Sequence, residues 1–179
     1  MRDTSGVTAA AHYRQLLQLG RDEFLAAAAP AVLVRFRVGD DMAPGGQSTL
    51  TLDDETIQDA TMPARRLEPA DTLGDDLEIY PLAKKPGASF PDRITIGRTP
   101  NNDVAISDAS VSRLHAYVKR AGEAWVIADA GSKNGSWLRG DALEARREKP
   151  LGSLAVVRLG DVDLTFYLAA ELFAALGGA

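Results

Sequence analysis

The sequence contains no cysteine and only two histidines, His12 and His115, among its 179 residues. The lack of cysteine excludes disulfide bonds, thiolate catalysis and cysteine-ligated zinc or iron–sulfur centres. Two histidines offer little for a metal cluster, so we expect neither a metal nor another cofactor. With 45% hydrophobic and 25% charged residues, the composition is that of an ordinary soluble domain with an added segment.

Long apolar runs are also missing. No stretch approaches the roughly 20 uncharged apolar residues that a bilayer requires, and the longest candidate, residues 164–176, is short and carries Glu171. A second apolar stretch, residues 24–34, follows an acidic pair and is interrupted by Pro30, which does not fit a signal peptide. We therefore expect a cytoplasmic protein without a membrane partner.

Charge is distributed unevenly along the chain. Residues 40–80 carry eleven acidic and two basic side chains, whereas residues 84–149 carry eight acidic and twelve basic ones. This balance argues against nucleic acid as the main partner of the whole chain, but it leaves room for a local anion site in the basic half. The acidic stretch is interpreted as a solvated linker.

The first 74 residues divide by their apolar pattern. Residues 9–28 have mostly helical spacing with a break at Gly20, which predicts two short helices. Residues 31–38 alternate in the manner of a strand, and residues 39–74, rich in Pro, Gly, Asp and Thr, show little periodicity. The segment 1–74 is therefore predicted to be a helical and loop-rich extension that includes the acidic stretch.

From residue 75 onward the pattern changes to short β-branched or aromatic runs separated by turn signals. The predicted strands are 77–82, 93–97, 104–106, 115–119, 124–129, 136–138, 154–159 and 162–167. Strands so short and closely spaced predict an antiparallel two-sheet sandwich, not alternating strands and helices. The fold class is thus mainly β over residues 75–168, followed by a short C-terminal helix within 169–179, where helical spacing resumes.

The loops between the predicted strands carry the chemically distinctive residues. Loops at one end of a sandwich converge, so three polar loops can surround one patch. That patch would hold Arg98, Ser112, Arg113, Lys133 and Asn134. Three cations, a hydroxyl and an amide supply many hydrogen-bond donors but no carboxylate acid or base. The natural guest is an anion with several oxygens, such as a phosphate monoester on a hydroxyl amino acid.

The same loops resemble those of a known family. The blocks Gly97-Arg98, Ser112-x-x-His115 and Ser132-x-Asn134-Gly135 occur in the order and approximate spacing of the forkhead-associated (FHA) domain. That domain is a two-sheet β-sandwich, of the FHA/SMAD-like type, which binds phosphothreonine peptides. The resemblance covers roughly residues 77–167, about half of the chain, and the whole sequence resembles an FHA protein of the bacterial type with an N-terminal helical extension.

The resemblance implies a role for each position. Arg98 is similar to the family's principal phosphate ligand, Ser112 to its hydroxyl partner on the same phosphate, and Asn134 to the residue that holds the peptide backbone. Arg113 and Lys133 fall at positions that border the phosphate. Three further positions are expected to support the site structurally, namely Gly97, His115 and Gly135.

The function implied by the resemblance is a non-enzymatic, phosphothreonine-binding adaptor in Ser/Thr kinase-dependent signalling. Its partner would be a threonine-phosphorylated protein, such as a kinase or a kinase substrate. Lys133 and Ser136 depart from the threonines common at these positions in the family. Lys133 either adds charge to the phosphate site or points to solvent, and the change at Ser136 is chemically mild.

Two alternatives remain open at this point. FHA-like sandwiches can also serve as phosphate-independent scaffolds or assembly subunits. A hydrolase would use Ser112 as nucleophile and His115 as base, with Asp108 or Asp129 as the orienting carboxylate. The hydrolase is the more distant alternative, because the odd spacing of Ser112 and His115 along a strand tends to send the two side chains to opposite faces.

Two threonines in the acidic stretch, Thr56 and Thr72, are candidate regulatory phosphosites. Thr56 follows three acidic residues, and Thr72 has Asp75 three residues further on. Some bacterial FHA proteins have a similar arrangement, in which the domain captures a phosphorylated threonine of its own N-terminal segment. A tethered segment gains effective concentration, so even weak capture would compete with a partner. The alternative is an inert linker.

Overall fold

The computed structural model of the chain describes residues 5–36 and 77–178. Two helices, α1 (Ser5–Gln18) and α2 (Arg21–Ala27), precede the strands, and a third helix, α3 (Ala169–Ala175), follows them. The predicted break at Gly20 is confirmed, and its φ of 100° is one that favours glycine. The predicted loop-rich region 39–74 and both candidate phosphosites, Thr56 and Thr72, lie outside the described residues.

Every strand predicted after residue 75 is present, with ends shifted by at most two residues. The strands are β1 (Ala31–Phe36), β2 (Leu77–Pro81), β3 (Ile94–Gly97), β4 (Val104–Ala105), β5 (Ala116–Ala121), β6 (Ala124–Asp129), β7 (Ser136–Leu138), β8 (Asp141–Ala142), β9 (Lys149–Leu151), β10 (Val156–Leu159) and β11 (Val162–Leu168). Two of them, β8 and β9, were not predicted, because two or three residues in a charged stretch show no alternation.

The strands form two sheets, so the predicted fold class is confirmed. The first sheet has the order β2-β1-β11-β10-β7-β8, and the second has the order β4-β3-β5-β6-β9. All pairs of named strands are antiparallel except β3 with β4, which are parallel. Strand β1 pairs with both β11 and β2, so a strand from the segment ahead of residue 75 lies inside the first sheet.

Apolar side chains form one core between the sheets and a second core under the helices. Strand β1 contributes side chains to both cores. Leu33 faces the core between the sheets, Val34 faces the core under the helices (the helical core), and both side chains are fully buried. In the helical core, Tyr13 of α1, Phe24 of α2 and Phe173 of α3 pack against the outer face of the first sheet. Each such buried aromatic contributes on the order of 1.5–3 kcal/mol, so the helices form a stable third layer.

None of the helices in the described ranges is long and apolar enough to cross a membrane. The helical layer covers one face of the first sheet and leaves the loops at the end of the sandwich accessible. Those loops are the ones that the sequence singled out.

Candidate functional site

Three loops meet at one end of the sandwich and enclose an open cleft of about 900 Å³. They are the turn after β3, the segment that leads into β5, and the connection between β6 and β7. All five residues of the predicted patch line the cleft: Arg98, Ser112, Arg113, Lys133 and Asn134. The sequence did not single out the other lining residues, which are Thr99, Asn101, Ala109, Ser110, Val111, Leu114 and Gly131.

Main-chain contacts hold the first loop against the second. The Arg98 N–H donates to the Ser112 carbonyl at 2.9 Å. A Cβ on Gly97 would lie only 2.2 Å from the carbonyl oxygen of Arg113. That approach is closer than any side chain permits, so glycine is required at position 97 for the two loops to meet. The Asn102 side chain completes the junction by donating to the same Arg113 carbonyl at 2.6 Å.

His115 joins the second loop to the third. The side chain is fully buried. Its Nδ1 accepts a hydrogen bond from the Ser112 N–H at 2.9 Å, and its Nε2 lies 2.9 Å from the Gly135 carbonyl. Because an N–H can only donate and a carbonyl can only accept, the proton of the neutral ring belongs on Nε2. Both ring nitrogens are thus used by the main chain, which leaves neither for the Ser112 hydroxyl.

The Ser112 hydroxyl points into the contact between the second and third loops. Its Oγ accepts a hydrogen bond from the Lys133 N–H at 2.9 Å. Within the described ranges the hydroxyl hydrogen has no acceptor, so it is available to an anion in the cleft. A catalytic triad would need a hydrogen bond from this hydroxyl to the His115 ring. The ring instead bonds the Ser112 N–H and the Gly135 carbonyl.

The third loop folds around the buried carboxylate of Asp129. Its Oδ1 accepts from the N–H groups of Gly131 and Ser132, at 2.7 and 2.8 Å. Its Oδ2 accepts from the hydroxyls of Ser132 and Ser136, both at 2.5 Å. Burial alone would raise the pKa of Asp129, but these hydrogen bonds outweigh it and hold that pKa below its ordinary value. Ser136, noted in the sequence as a mild departure, thereby supports the loop.

Asn134 stands at the exposed tip of the third loop. Its Nδ2 donates to the Ser110 carbonyl at 2.7 Å, which commits one end of the side-chain amide to the protein. The other end, Oδ1, has no donor among the described residues and is available as an acceptor. An acceptor at this point suits the N–H of a peptide backbone in the cleft. Gly135, the next residue, has a φ of 85°, a value that favours glycine in the turn.

The cleft is strongly cationic. Arg98, Arg113 and Lys133 are all exposed, and no carboxylate in the described part of the chain pairs with any of them. Some cations outside the cleft, such as Arg120 and Arg139, are also without a carboxylate partner in the described ranges, whereas a partner is present for Arg35, Lys84, Arg93, Lys119, Arg147 and Arg158. A cleft lined by cations and by no acidic side chain concentrates positive potential, so it favours an anionic guest.

Residues 5–36 and 77–178 contain no group of three or more His, Asp or Glu side chains placed to hold a metal ion. The residues that line the cleft offer N–H and O–H donors from Arg98, Ser112 and Lys133. Donors of this kind bind an anion reversibly.

The chain thus combines a two-sheet β-sandwich with a cationic cleft on the loops at one end. Residues 94–160 match the family model described as FHA domain, and the chain accordingly contains an FHA domain.

Two curated relatives share this segment. The chain is 37% identical over 81 residues to an FHA domain-containing protein of Arabidopsis thaliana, and these residues cover 45% of this chain and 20% of that protein. It is 35% identical over 72 residues to the oxoglutarate dehydrogenase inhibitor of Corynebacterium diphtheriae, and these residues cover 40% of this chain and 48% of that protein. The chain thus spans less than half the length of either relative.

Among solved structures, the chain is similar to Mycobacterium tuberculosis EmbR in complex with a low-affinity phosphopeptide. The two are 31% identical, with a TM-score of 0.40, over 44% of this chain and 20% of that one.

Proposed function

We propose that this protein is a non-enzymatic adaptor that binds phosphothreonine in a partner protein. The observation that carries the proposal is the set of three unpaired cations beside the free Ser112 hydroxyl hydrogen, in a cleft without carboxylates. Phosphothreonine carries a charge of about −1.5 to −2 and three strong acceptor oxygens. These properties complement the charge and the donors of the cleft.

Each lining residue has a distinct part in the proposed complex. The Arg98 guanidinium binds two phosphate oxygens through parallel N–H groups, and the Ser112 hydroxyl donates to a third oxygen. Arg113 and Lys133 add charge at the border of the phosphate. Asn134 uses its free Oδ1 to accept an N–H from the peptide backbone, because its Nδ2 is already bonded to Ser110.

We further propose that the partner is a Ser/Thr kinase or one of its substrates, and that the protein acts in the bacterial cytoplasm. The family match supports the binding chemistry, and the acidic stretch with Thr56 and Thr72 makes the chain itself a candidate kinase substrate. The non-enzymatic part of the proposal is supported by His115, whose two ring nitrogens are both occupied by main-chain groups.

A second candidate function comes from the Corynebacterium relative, whose name describes an enzyme inhibitor. An FHA domain can act in that way if it binds an enzyme directly, without a phosphate, as a scaffold does. This candidate differs from the first in one measurable respect, since binding would not depend on phosphorylation of the partner.

Three degenerate peptide pools, which differ only in the fixed central residue, separate phosphothreonine binding from phosphate-independent binding. We expect the protein to retain the pool with phosphothreonine, to retain the phosphoserine pool more weakly, and to release the threonine pool. A small pocket for the threonine methyl group contributes about 1–3 kcal/mol, or roughly 5- to 150-fold in affinity. Equal retention of the phosphothreonine and threonine pools would overturn the proposed function.

The scaffold candidate is tested by capture of partners from a cell extract, with and without phosphatase treatment of the extract. Partners that are lost after phosphatase treatment support phosphothreonine binding. Partners that survive treatment, together with no retention of the phosphothreonine pool, support the scaffold.

A further inference from the structure

We propose that Arg35, on strand β1 and outside the matched FHA segment, is a positioning residue for Asn134. This inference rests on the proposed function, because it concerns how the site holds a peptide. Arg35 does not line the cleft. It acts through Asp108 and Ser110, which connect the first sheet to the tip of the third loop.

The first link is an ion pair across the fold. Arg35 Nη2 donates to Asp108 Oδ2 at 3.0 Å, and the two side chains are only 19% and 26% exposed. A hydrogen-bonded pair with so little exposure is screened less by solvent than a surface pair. It ties the segment ahead of β5 to β1, the second strand of the first sheet.

The second link is a turn closed by the same carboxylate. Asp108 Oδ1 accepts from the Ser110 N–H at 3.0 Å and from the Ser110 hydroxyl at 2.7 Å. The Ser110 Oγ in turn accepts from the Asp161 N–H at 3.0 Å. The Val111 N–H, on the same peptide unit as the Ser110 carbonyl, donates to the Asp108 carbonyl at 3.2 Å, so the direction of the Ser110 carbonyl is fixed.

The third link determines which way the Asn134 amide faces. The Ser110 carbonyl accepts from Asn134 Nδ2 at 2.7 Å. A side-chain amide has a donor end and an acceptor end, and a fixed carbonyl selects the donor end. The acceptor Oδ1 is thereby turned away from the protein and kept available for a peptide N–H.

Arginine is suited to the start of this chain because it bridges two carboxylates. Arg35 Nη1 lies 3.7 Å from Glu78 Oε2 on β2, while Nη2 holds Asp108. Glu78 is itself fixed by the Tyr80 hydroxyl, which donates to the same Oε2 at 2.8 Å. The planar guanidinium presents both nitrogens in a set geometry, which a single lysine ammonium does not. We therefore expect Arg35→Lys to bind the peptide more tightly than Arg35→Gln but more weakly than the wild type.

The test is a double-mutant cycle on binding of one phosphothreonine peptide recovered from the pool. We expect Arg35→Gln to weaken binding roughly tenfold, within the range for residues in one hydrogen-bond network. In the Asn134→Ala background the same substitution should change affinity by less than about twofold, because the residue it positions is gone. Arg93→Gln is the matched control. Arg93 also pairs with a carboxylate, Asp92 at 2.7 Å, but in the described ranges no hydrogen bond or ion pair connects these two side chains to a residue of the cleft.

A readout without ligand separates this inference from the proposed function. The Nδ2 protons of Asn134, assigned by their loss in Asn134→Ala, should exchange with water faster in Arg35→Gln than in Arg93→Gln. Unchanged exchange, or an equal loss of affinity in both Asn134 backgrounds, would overturn the positioning role while phosphopeptide binding stands. If the wild type retains no phosphopeptide, the proposed function fails and this inference fails with it.

Discussion

The Nε2 atom of His115 lies 2.9 Å from the carbonyl oxygen of Gly135, and this hydrogen bond connects two of the three loops that form the cleft. Replacement of His115 by alanine removes a fully buried ring and leaves that carbonyl and the Ser112 N–H, both partly buried, without this partner. We expect His115→Ala to lower the free energy of unfolding by about 2–5 kcal/mol and to weaken peptide binding as well. Urea unfolding followed by tryptophan fluorescence measures the first effect.

The chain provides its own control for that substitution. His12 is exposed on α1, so His12→Ala should change the free energy of unfolding by less than about 0.5 kcal/mol. If the two variants unfold at the same urea concentration, His115 does not hold the loops.

Arg98 should behave in the opposite way. Its side chain is exposed and has no carboxylate partner in the described ranges, while its structural contact is made by the main-chain N–H, which alanine retains. We expect Arg98→Ala to unfold at nearly the wild-type temperature but to lose about 2–5 kcal/mol of phosphopeptide binding. Calorimetry of unfolding and a peptide titration give the two values.

Arg147→Ala is the control for Arg98→Ala, because within residues 5–36 and 77–178 the Arg147 side chain pairs only with Glu144, on the exposed surface. That variant should bind the peptide as the wild type does. A variant of Arg98 that loses stability and binding together would contradict a ligand role.

Gly97→Ala tests the junction of the first two loops. The added methyl group would lie 2.2 Å from the Arg113 carbonyl, so one of the loops must move. We expect a loss of at least about 1–3 kcal/mol in the free energy of unfolding, measured in urea. Gly152→Ala is the matched variant, since its methyl group would meet only the flexible end of Arg139 at 3.0 Å. Equal unfolding midpoints for the two variants would show that the junction tolerates a side chain.

Acid should destabilise the third loop through Asp129. Burial raises the pKa of this carboxyl, but the hydrogen bonds from Ser132, Ser136 and Gly131 lower that pKa by more than burial raises it. The net shift of the pKa is therefore downward from 3.8. A carboxyl with a lowered folded-state pKa contributes stability that is present above the unfolded value and lost as pH falls through the folded value. We therefore expect the free energy of unfolding of the wild type to decline below about pH 4.

Asp129→Asn removes this titration and cannot accept all the same hydrogen bonds. We expect a loss of about 1–3 kcal/mol at pH 7 and a smaller further decline below pH 4 than in the wild type. Asp141→Asn, at an exposed position, should follow the wild type over the whole range. A wild-type stability curve that is flat below pH 4 would contradict the role given to Asp129.

Capture of the protein's own phosphothreonine is tested by kinase treatment. Thr56 lies in a stretch with a large excess of acidic residues, and the cleft is cationic. If phosphorylated Thr56 occupies the cleft, kinase-treated wild type should bind the phosphothreonine peptide much more weakly than treated Thr56→Ala. Thr72→Ala distinguishes the two candidate threonines. Equal peptide binding by treated and untreated wild type would end this hypothesis.

The sequence predicted most of the fold because most strands have their own local pattern. It did not predict β8 and β9, which are too short to alternate. It placed β1 in an extension, whereas Ala31 and Leu33 face one core and Val32 and Val34 face the other. The alternation with Arg35 and Arg37 follows a continuous apolar run, residues 31–34, which is buried on both faces, and such a run does not show which elements will cover it.

The sequence located the cleft because its blocks recur in the family in a fixed order. It missed Arg35, Ser110 and the loop-supporting role of Asp129. Arg35 and Asp108 are 73 residues apart along the chain, and no short-range spacing indicates such a pair. Contacts of this kind become visible only when the sheet brings the two segments together.

The placement of β1 between β2 and β11 determines how the protein can be shortened. A fragment trimmed to the matched residues 94–160 would lack all three of these strands and would leave β10 with an open edge. Unpaired edges recruit strands from other molecules, so such a fragment should precipitate or exchange strands. Expression of this module for crystallisation or fusion therefore has to begin upstream of residue 31 and continue beyond residue 168, where β11 ends.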